Sequence, residues 1–260
     1  MTKWKLDDLE FVVLWERLRE GLLPRPFTFI SRIPLERDYQ RARHDIRERL
    51  RTTVSAELEQ ALDVAARPDI RIIIRGVDAT NPDNPHGSIR MLAVRRGANG
   101  YLLTQLPGET IQHSAGFTIT ECDSLRLADA VVTALPAAVA GAHDTIALPT
   151  PDETSDYDQH FASPRISAAW HDTDESAAQR ILRRPATRVG TIEIVQGTSR
   201  FGPRGRLIRQ LQWRDLSDDG RYTIPNHPPY TAYSADPERF IRLINIEIAA
   251  VVSAIKEQRS

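Results

Sequence analysis

The order of strand and turn signals along this chain occurs twice. From residue 69 it reads strand, long polar loop, strand, tight turn, two more strands and a capped helix, and from residue 188 the series begins again. Alternating apolar and β-branched residues place strands at 69–77, 89–96, 101–106 and 117–121, then at 188–195, 207–214, 221–224 and 230–233. The turns at 97–100 and 217–220 occupy equivalent places, and glycine supplies the backbone freedom such turns need. The loops at 78–88 and 196–206 also correspond. A unit that recurs in this way buries its apolar face by joining or stacking with its copy. The expectation is an α+β protein of two similar halves with pseudo-two-fold symmetry, a mainly antiparallel sheet packed by helices. Residues 1–136 form the first half and 150–260 the second, within one domain spanning 1–260. Two antiparallel sheets, or one continuous sheet, both satisfy the repeat.

Helical spacing fills in the rest. Asp7 and Glu10 make a capping box ahead of Phe11, Leu14, Trp15 and Leu18. A short strand is expected at 26–31. Leu35, Tyr39, Ala42, Ile46 and Leu50 then form the apolar stripe of a heavily charged helix, whose arginines and carboxylates read as a solvated face. Leu58, Ala61, Leu62 and Ala65 line a helix over 55–66. Asp123 and Ser124 can cap another that carries Leu125, Ala128, Val131, Val132 and Leu135. Residues 136–151 read as a connector. Thr150 and Glu153 make a second capping box, and a helix is expected at 173–183. Asp236 opens the terminal helix, with Phe240, Leu243, Ile244, Ile248, Val251, Val252 and Ile255 facing inward.

Charge narrows the function. Lysine and arginine number 34 against 35 aspartate and glutamate. Nucleic-acid binders draw much of their affinity from phosphate neutralisation, so this balance argues against one. The single cysteine, Cys122, cannot form an intrachain disulfide, and the charged N-terminus lacks the apolar run of a signal peptide. No stretch reaches the roughly 18 apolar residues that span a bilayer. The expected address is the cytoplasm.

No phosphate-binding glycine loop, dinucleotide fingerprint, zinc-protease helix or nucleophile elbow is present. His171, Asp172 and Asp174 could serve a metal-dependent hydrolase, but the same run reads as a capped acidic helix start. Cys122 beside Asp123 has no histidine placed near it and reads as a small buried hydrophobe. His44, His86, His113, His143, His160 and His227 lack ligand spacing. No cofactor and no metal are expected. The two long loops exceed the roughly two to five residues usual for hairpins. They are where a binding surface would be built on a rigid sheet.

Several runs resemble one family. The opening Trp4-x-Leu6-x-x-x-Glu10-Phe11-x-x-Leu14-Trp15-Glu16, followed by Leu23-Pro24-x-Pro26, is similar to the start of the EspG proteins, cytosolic chaperones of type VII (ESX) secretion in actinobacteria. In the second half the resemblance is carried by Gly190, the arginine-rich loop, Leu211-x-Trp213-x-Asp215 and Gly220-Arg221-Tyr222. It implies a quasi-two-fold α/β fold with no catalytic residues and no cofactor. The implied partner is a PE–PPE heterodimer, held by the tip of its PPE subunit so that an apolar end stays shielded before export. The family's second-to-third-strand loop falls on residues 78–88, with Asn81, Asp83, Asn84 and His86 as expected contacts. Gln210, Gln212 and Arg214, on the alternate face of a second-half strand, are further candidates. Trp213, Leu211 and Tyr222 read as core.

Overall fold

The structure, a computed structural model, describes residues 1–18, 22–148 and 184–259. Its elements in chain order are β1 (Lys3–Leu6), α1 (Asp8–Leu18), α2 (Glu36–Thr53), α3 (Ala56–Ala66), β2 (Ile70–Asp78), β3 (Ile89–Arg96), β4 (Asn99–Pro107), β5 (Ser114–Asp123) and α4 (Leu127–Ala134). After these come β6 (Thr145–Ala147), β7 (Ala186–Gln196), β8 (Ile208–Leu216), β9 (Arg221–Pro225), β10 (Thr231–Ser234) and a long terminal helix, α5 (Pro237–Arg259).

Among the described residues, all ten strands join one sheet in the order β1-β5-β4-β3-β2-β7-β8-β9-β10-β6. The order reads the same outward from its middle, so β2 corresponds to β7, β3 to β8 and β1 to β6. Of the two arrangements the repeat permitted, the continuous sheet is the one adopted. β2 and β7 pair antiparallel, with Ile74 opposite Ile192. The short 3-10 turns Pro85–Gly87 and Pro203–Gly205 are separated by the same interval as Ile74 and Ile192, which puts the pseudo-two-fold axis through that pair.

Strand alternation divides the core between two faces. Ile73, Leu92, Val94, Leu103, Phe117 and Ile119 pack against α1, α3 and Leu50 of α2. Phe11 stacks on Phe117 with ring centroids 4.0 Å apart, and Phe27 meets both edge-on. Such pairs add about 0.5–1.5 kcal/mol beyond their buried area. Ile70, Ile72, Ile74, Met91, Ile192, Ile194, Leu211 and Trp213 point the other way, beneath α4 and α5. These two helices follow corresponding strands and lie together on one face, as the two-fold relation requires.

The helix starts follow local chemistry. Asp7 Oδ1 accepts from Glu10 N at 2.6 Å and Glu10 Oε2 accepts from Asp7 N at 2.9 Å, a complete capping box. Ser55 caps α3 and Asp236 caps α5 through the amides of Leu58 and Arg239. α2 has no side-chain cap and buries only Leu50. It is held instead by ion pairs to α1, Arg43 to Glu16 and Arg49 to Glu10. Those arginines are neutralised locally, in keeping with a solvated face.

Three expectations fail locally. Residues 26–31 form no strand: the free edge of β5 is taken by β1, and prolines 24 and 26 lack amide donors. Phe27 goes into the core, and the Thr28 amide donates to the Gln105 side chain at 2.9 Å. Leu125 is 78% exposed and precedes α4, which begins at Leu127. Asp123 binds the Leu125 amide in a turn, and the N-cap of α4 is Arg126, without a side-chain bond. Leu35 stands outside α2 at its N-cap and is 58% exposed. Thr150, Glu153 and the helix expected at 173–183 lie outside the described residues.

The connector expected after residue 136 is docked over its described part. Arg221 is buried and makes a two-pronged bond to buried Asp215, from Nε at 2.7 Å and Nη2 at 2.9 Å, while Nη2 also donates to Pro136 O at 3.0 Å. Backbone bonds join Arg221 N to Val139 O and Gly141 N to Arg221 O. Gly141 lies against the Tyr222 ring, where an added Cβ would come within 2.1 Å of it. The segment then adds β6 to the edge of β10.

Candidate partner-binding surface

The loop between β2 and β3 is bonded to itself. Asp78 Oδ1 accepts from the Thr80 amide at 2.9 Å, the Thr80 hydroxyl at 2.6 Å and the Asn81 amide at 3.1 Å. These bonds, the hydroxyl first, hold its carboxyl below the usual carboxylate range. The Asn84 amide donates to Asn81 O, and Asn84 Oδ1 caps Pro85–Gly87 by accepting from the His86 amide at 3.1 Å. Gly87 closes the loop against Asp78, where an added Cβ would meet the Asp78 Cβ at 2.5 Å. With its own polar groups paired inside, the loop turns Asn81, Asp83 and His86 outward and leaves Asn84 half-buried. A preorganised loop loses less entropy on binding.

Gln210, Gln212 and Arg214 do share one face of β8, opposite Glu193, Thr191 and Val189 respectively. Gln212 is exposed, and the other two are half-buried. Arg214 donates to Arg184 O at 3.1 Å, and burial lowers the pKa of its guanidinium. Register brings it near the loop: Arg214 faces Val189, Val189 faces Val77, and Asp78 follows. Gln210 lies further along, and its side-chain oxygen accepts from Asn226 at 3.4 Å. Arg75, Arg90, Thr191 and Glu193 complete the same face, although the sequence reading did not name them. Glu193 accepts from Arg25 at 2.8 Å and Arg90 donates to the Thr28 hydroxyl at 2.7 Å. The outcome is a polar sheet face bordered by the β2–β3 loop.

The loop between β7 and β8 does not join this surface. Because β2 and β7 run antiparallel, Asp78 faces Arg188 while Ile70 faces Gln196. The two long loops therefore leave opposite ends of the sheet, separated by about 27 Å of strand.

His171, Asp172 and Asp174 lie outside the described residues, as does His160. Among the described residues no three His, Cys, Asp or Glu side chains converge as a metal site. Cys122 is 7% exposed in the core under α4. Burial, aided by the carboxylates of Asp123 and Glu121, pushes its thiol up to about 11. The folded protein at neutral pH is expected to resist alkylation by iodoacetamide, with rapid labelling only in urea. Mass spectrometry of timed samples checks this, and equal rates in both conditions would contradict it.

Among the described residues no helix is long and apolar enough to cross a membrane. A rigid, two-fold antiparallel sheet that offers a polar face and a prefolded loop is a scaffold suited to binding another macromolecule. The EspG family model matches residues 7–244, and the chain belongs to that family. Among solved structures it is similar to the type VII secretion system chaperone EspG5 of Mycobacterium tuberculosis, determined in complex with a PE25–PPE41 dimer. That likeness has a TM-score of 0.56 at 12% identity and covers 93% of this chain and 94% of the other. No curated protein matches the sequence.

Proposed function

We propose that this protein is a cytoplasmic chaperone that binds a PE–PPE-type heterodimer through its PPE subunit and acts by binding, without catalysing a reaction. Membership of the EspG family supports this, as does the likeness to a chaperone solved with such a dimer. The observation that carries the reading is the prefolded β2–β3 loop set beside a polar sheet face. Asn81, Asp83, Asn84 and His86 supply the loop contacts, and Gln210, Gln212 and Arg214 extend them along β8. Covering an exposed apolar end removes an aggregation site and stabilises the soluble partner by mass action.

The loop can be tested apart from the fold. Asn81 and Asp83 point into solvent, whereas Asn84 also caps the 3-10 turn. The double substitution Asn81→Ala/Asp83→Ala is expected to weaken binding of the cognate PE–PPE pair about tenfold or more, the scale of contacts that matter at interfaces. Its melting temperature should stay within a degree or so of the parent, as is usual for surface changes. Calorimetric titration and thermal unfolding read the two quantities. Unaltered affinity would remove the loop from the mechanism.

A further inference from the structure

The β7–β8 loop, at the end of the sheet away from the proposed chaperone surface, is ordered from within. Gln196 is 1% exposed at its base, where Oε1 accepts from the Leu207 amide at 3.1 Å and Nε2 donates to Gln258 of α5 at 2.9 Å. Gln258 Oε1 also accepts from the Arg200 amide at 3.3 Å. Further out, the Phe201 amide donates to Ser199 Oγ, and Gly205 packs so closely that an added Cβ would lie 2.4 Å from the Phe201 Cβ. This framework holds the Phe201 ring 68% exposed, with the Arg200 guanidinium 5.1 Å from its centroid. Exposed Arg204 and half-buried Arg206 follow it in the loop, and among the described residues none of these three arginines has a carboxylate partner. Between the loop and the C-terminal turn of α5 lies a cleft of about 160 Å³, lined by Asp69, Gln196, Thr198, Arg200, Ile255 and Gln258.

From the unpaired arginines, the exposed aromatic ring and the adjoining cleft, we infer a second docking site, for an acidic peptide segment of a partner protein. Aromatic residues and arginine are the side chains enriched at protein interfaces relative to the rest of the surface. The cleft takes an uncharged side chain over Ile255, where the Gln196–Gln258 amide pair gives a polar wall. A neighbouring carboxylate meets the arginines of the loop, Arg200 at the cleft wall and exposed Arg204. A nucleic acid fits less well: it carries a phosphate at every residue, and the chain's net charge of −1 does not attract it. The site does not depend on the β2–β3 loop, so it stands or falls separately from the chaperone reading.

Fluorescence anisotropy of the full chain tests it with three labelled probes: a short peptide with glutamates around a central Leu-Gln pair, its lysine counterpart, and a short oligouridylate. The acidic peptide should bind, and added salt should weaken it. Phe201→Ala and Arg204→Glu should each reduce its affinity about tenfold. Both side chains are exposed, so far-ultraviolet circular dichroism of the variants should be unchanged. The lysine peptide should not bind. Failure of the acidic peptide to bind, affinity indifferent to both substitutions, or equally tight oligouridylate binding would each overturn the proposal.

Discussion

Replacing Arg221 with methionine is expected to destabilise the protein by about 3–5 kcal/mol, the usual result of removing one partner from a buried ion pair. Arg221 is 4% exposed and Asp215 5%, so neither charge can turn to water when the other is lost. Asp215 would retain only Arg188, at 3.6 Å. Pro136 O would lose its donor, and the strand-like contact that holds residues 139–141 on β9 would be weakened. Urea unfolding measures the loss. The pair Arg221→Met/Asp215→Leu should cost less than the two single changes summed, since the two most buried charges leave together and only the partly exposed Arg188 loses a partner. A single-variant loss below about 1 kcal/mol would mean that water reaches the pair.

Truncating Trp213 to alanine should cost a similar amount, about 3–5 kcal/mol. The indole is 1% exposed and lies over two glycines, Gly76 and Gly190, that face one another across the central strand pair. An added Cβ on Gly190 would lie 2.2 Å from the indole, and one on Gly76 would lie 3.0 Å from it. The Phe240 ring closes the other side, with centroids 6.4 Å apart. Gly190→Ala therefore overpacks the same site, at about 1–3 kcal/mol. The two changes should compensate in part: Gly190→Ala should cost less once Trp213 is alanine, although its Cβ still meets the Arg75 carbonyl oxygen at 2.4 Å, and chemical denaturation of the four variants resolves the coupling. Strict additivity would show that the indole does not rest on the glycines.

These two clusters explain why the second-half run resembled a family so clearly. Trp213, Asp215, Gly220, Arg221 and Tyr222 build the interior of that half and its junction with the connector, and none of them reaches the proposed surface. Such a run identifies a fold through packing, and it says little about which partner is bound.

Much of the architecture was legible because it rests on local chemistry. The duplicated strand series, the Asp7–Glu10 box and the alternation of Gln210 and Gln212 against Leu211 and Trp213 each follow from neighbours in sequence. β1 and β6 were not legible. Each is a short edge strand of four and three residues, and Lys3 and Lys5 look like charged surface positions until β5 is seen to pair with them. The apolar spacing at 26–31 resembled a strand, yet one buried ring, Phe27, and a side-chain bond at Thr28 account for it. At the candidate surface, length and polarity singled out both long loops, and the family resemblance chose residues 78–88 between them. Arg75, Arg90 and Glu193 could not be named, because only strand register puts them on the same sheet face as Gln210 and Gln212. Register also parts the two loops: their matching order suggested one surface, and the antiparallel β2–β7 pair puts them at opposite ends.

The most direct test of the chaperone account is co-expression of this chain with PE–PPE pairs from its own genome, followed by affinity capture and size-exclusion chromatography with light scattering. The account predicts a defined complex containing this chain, one PE and one PPE protein, formed with a particular pair and diminished by Asn81→Ala/Asp83→Ala. Elution of the chain free of every pair would contradict it.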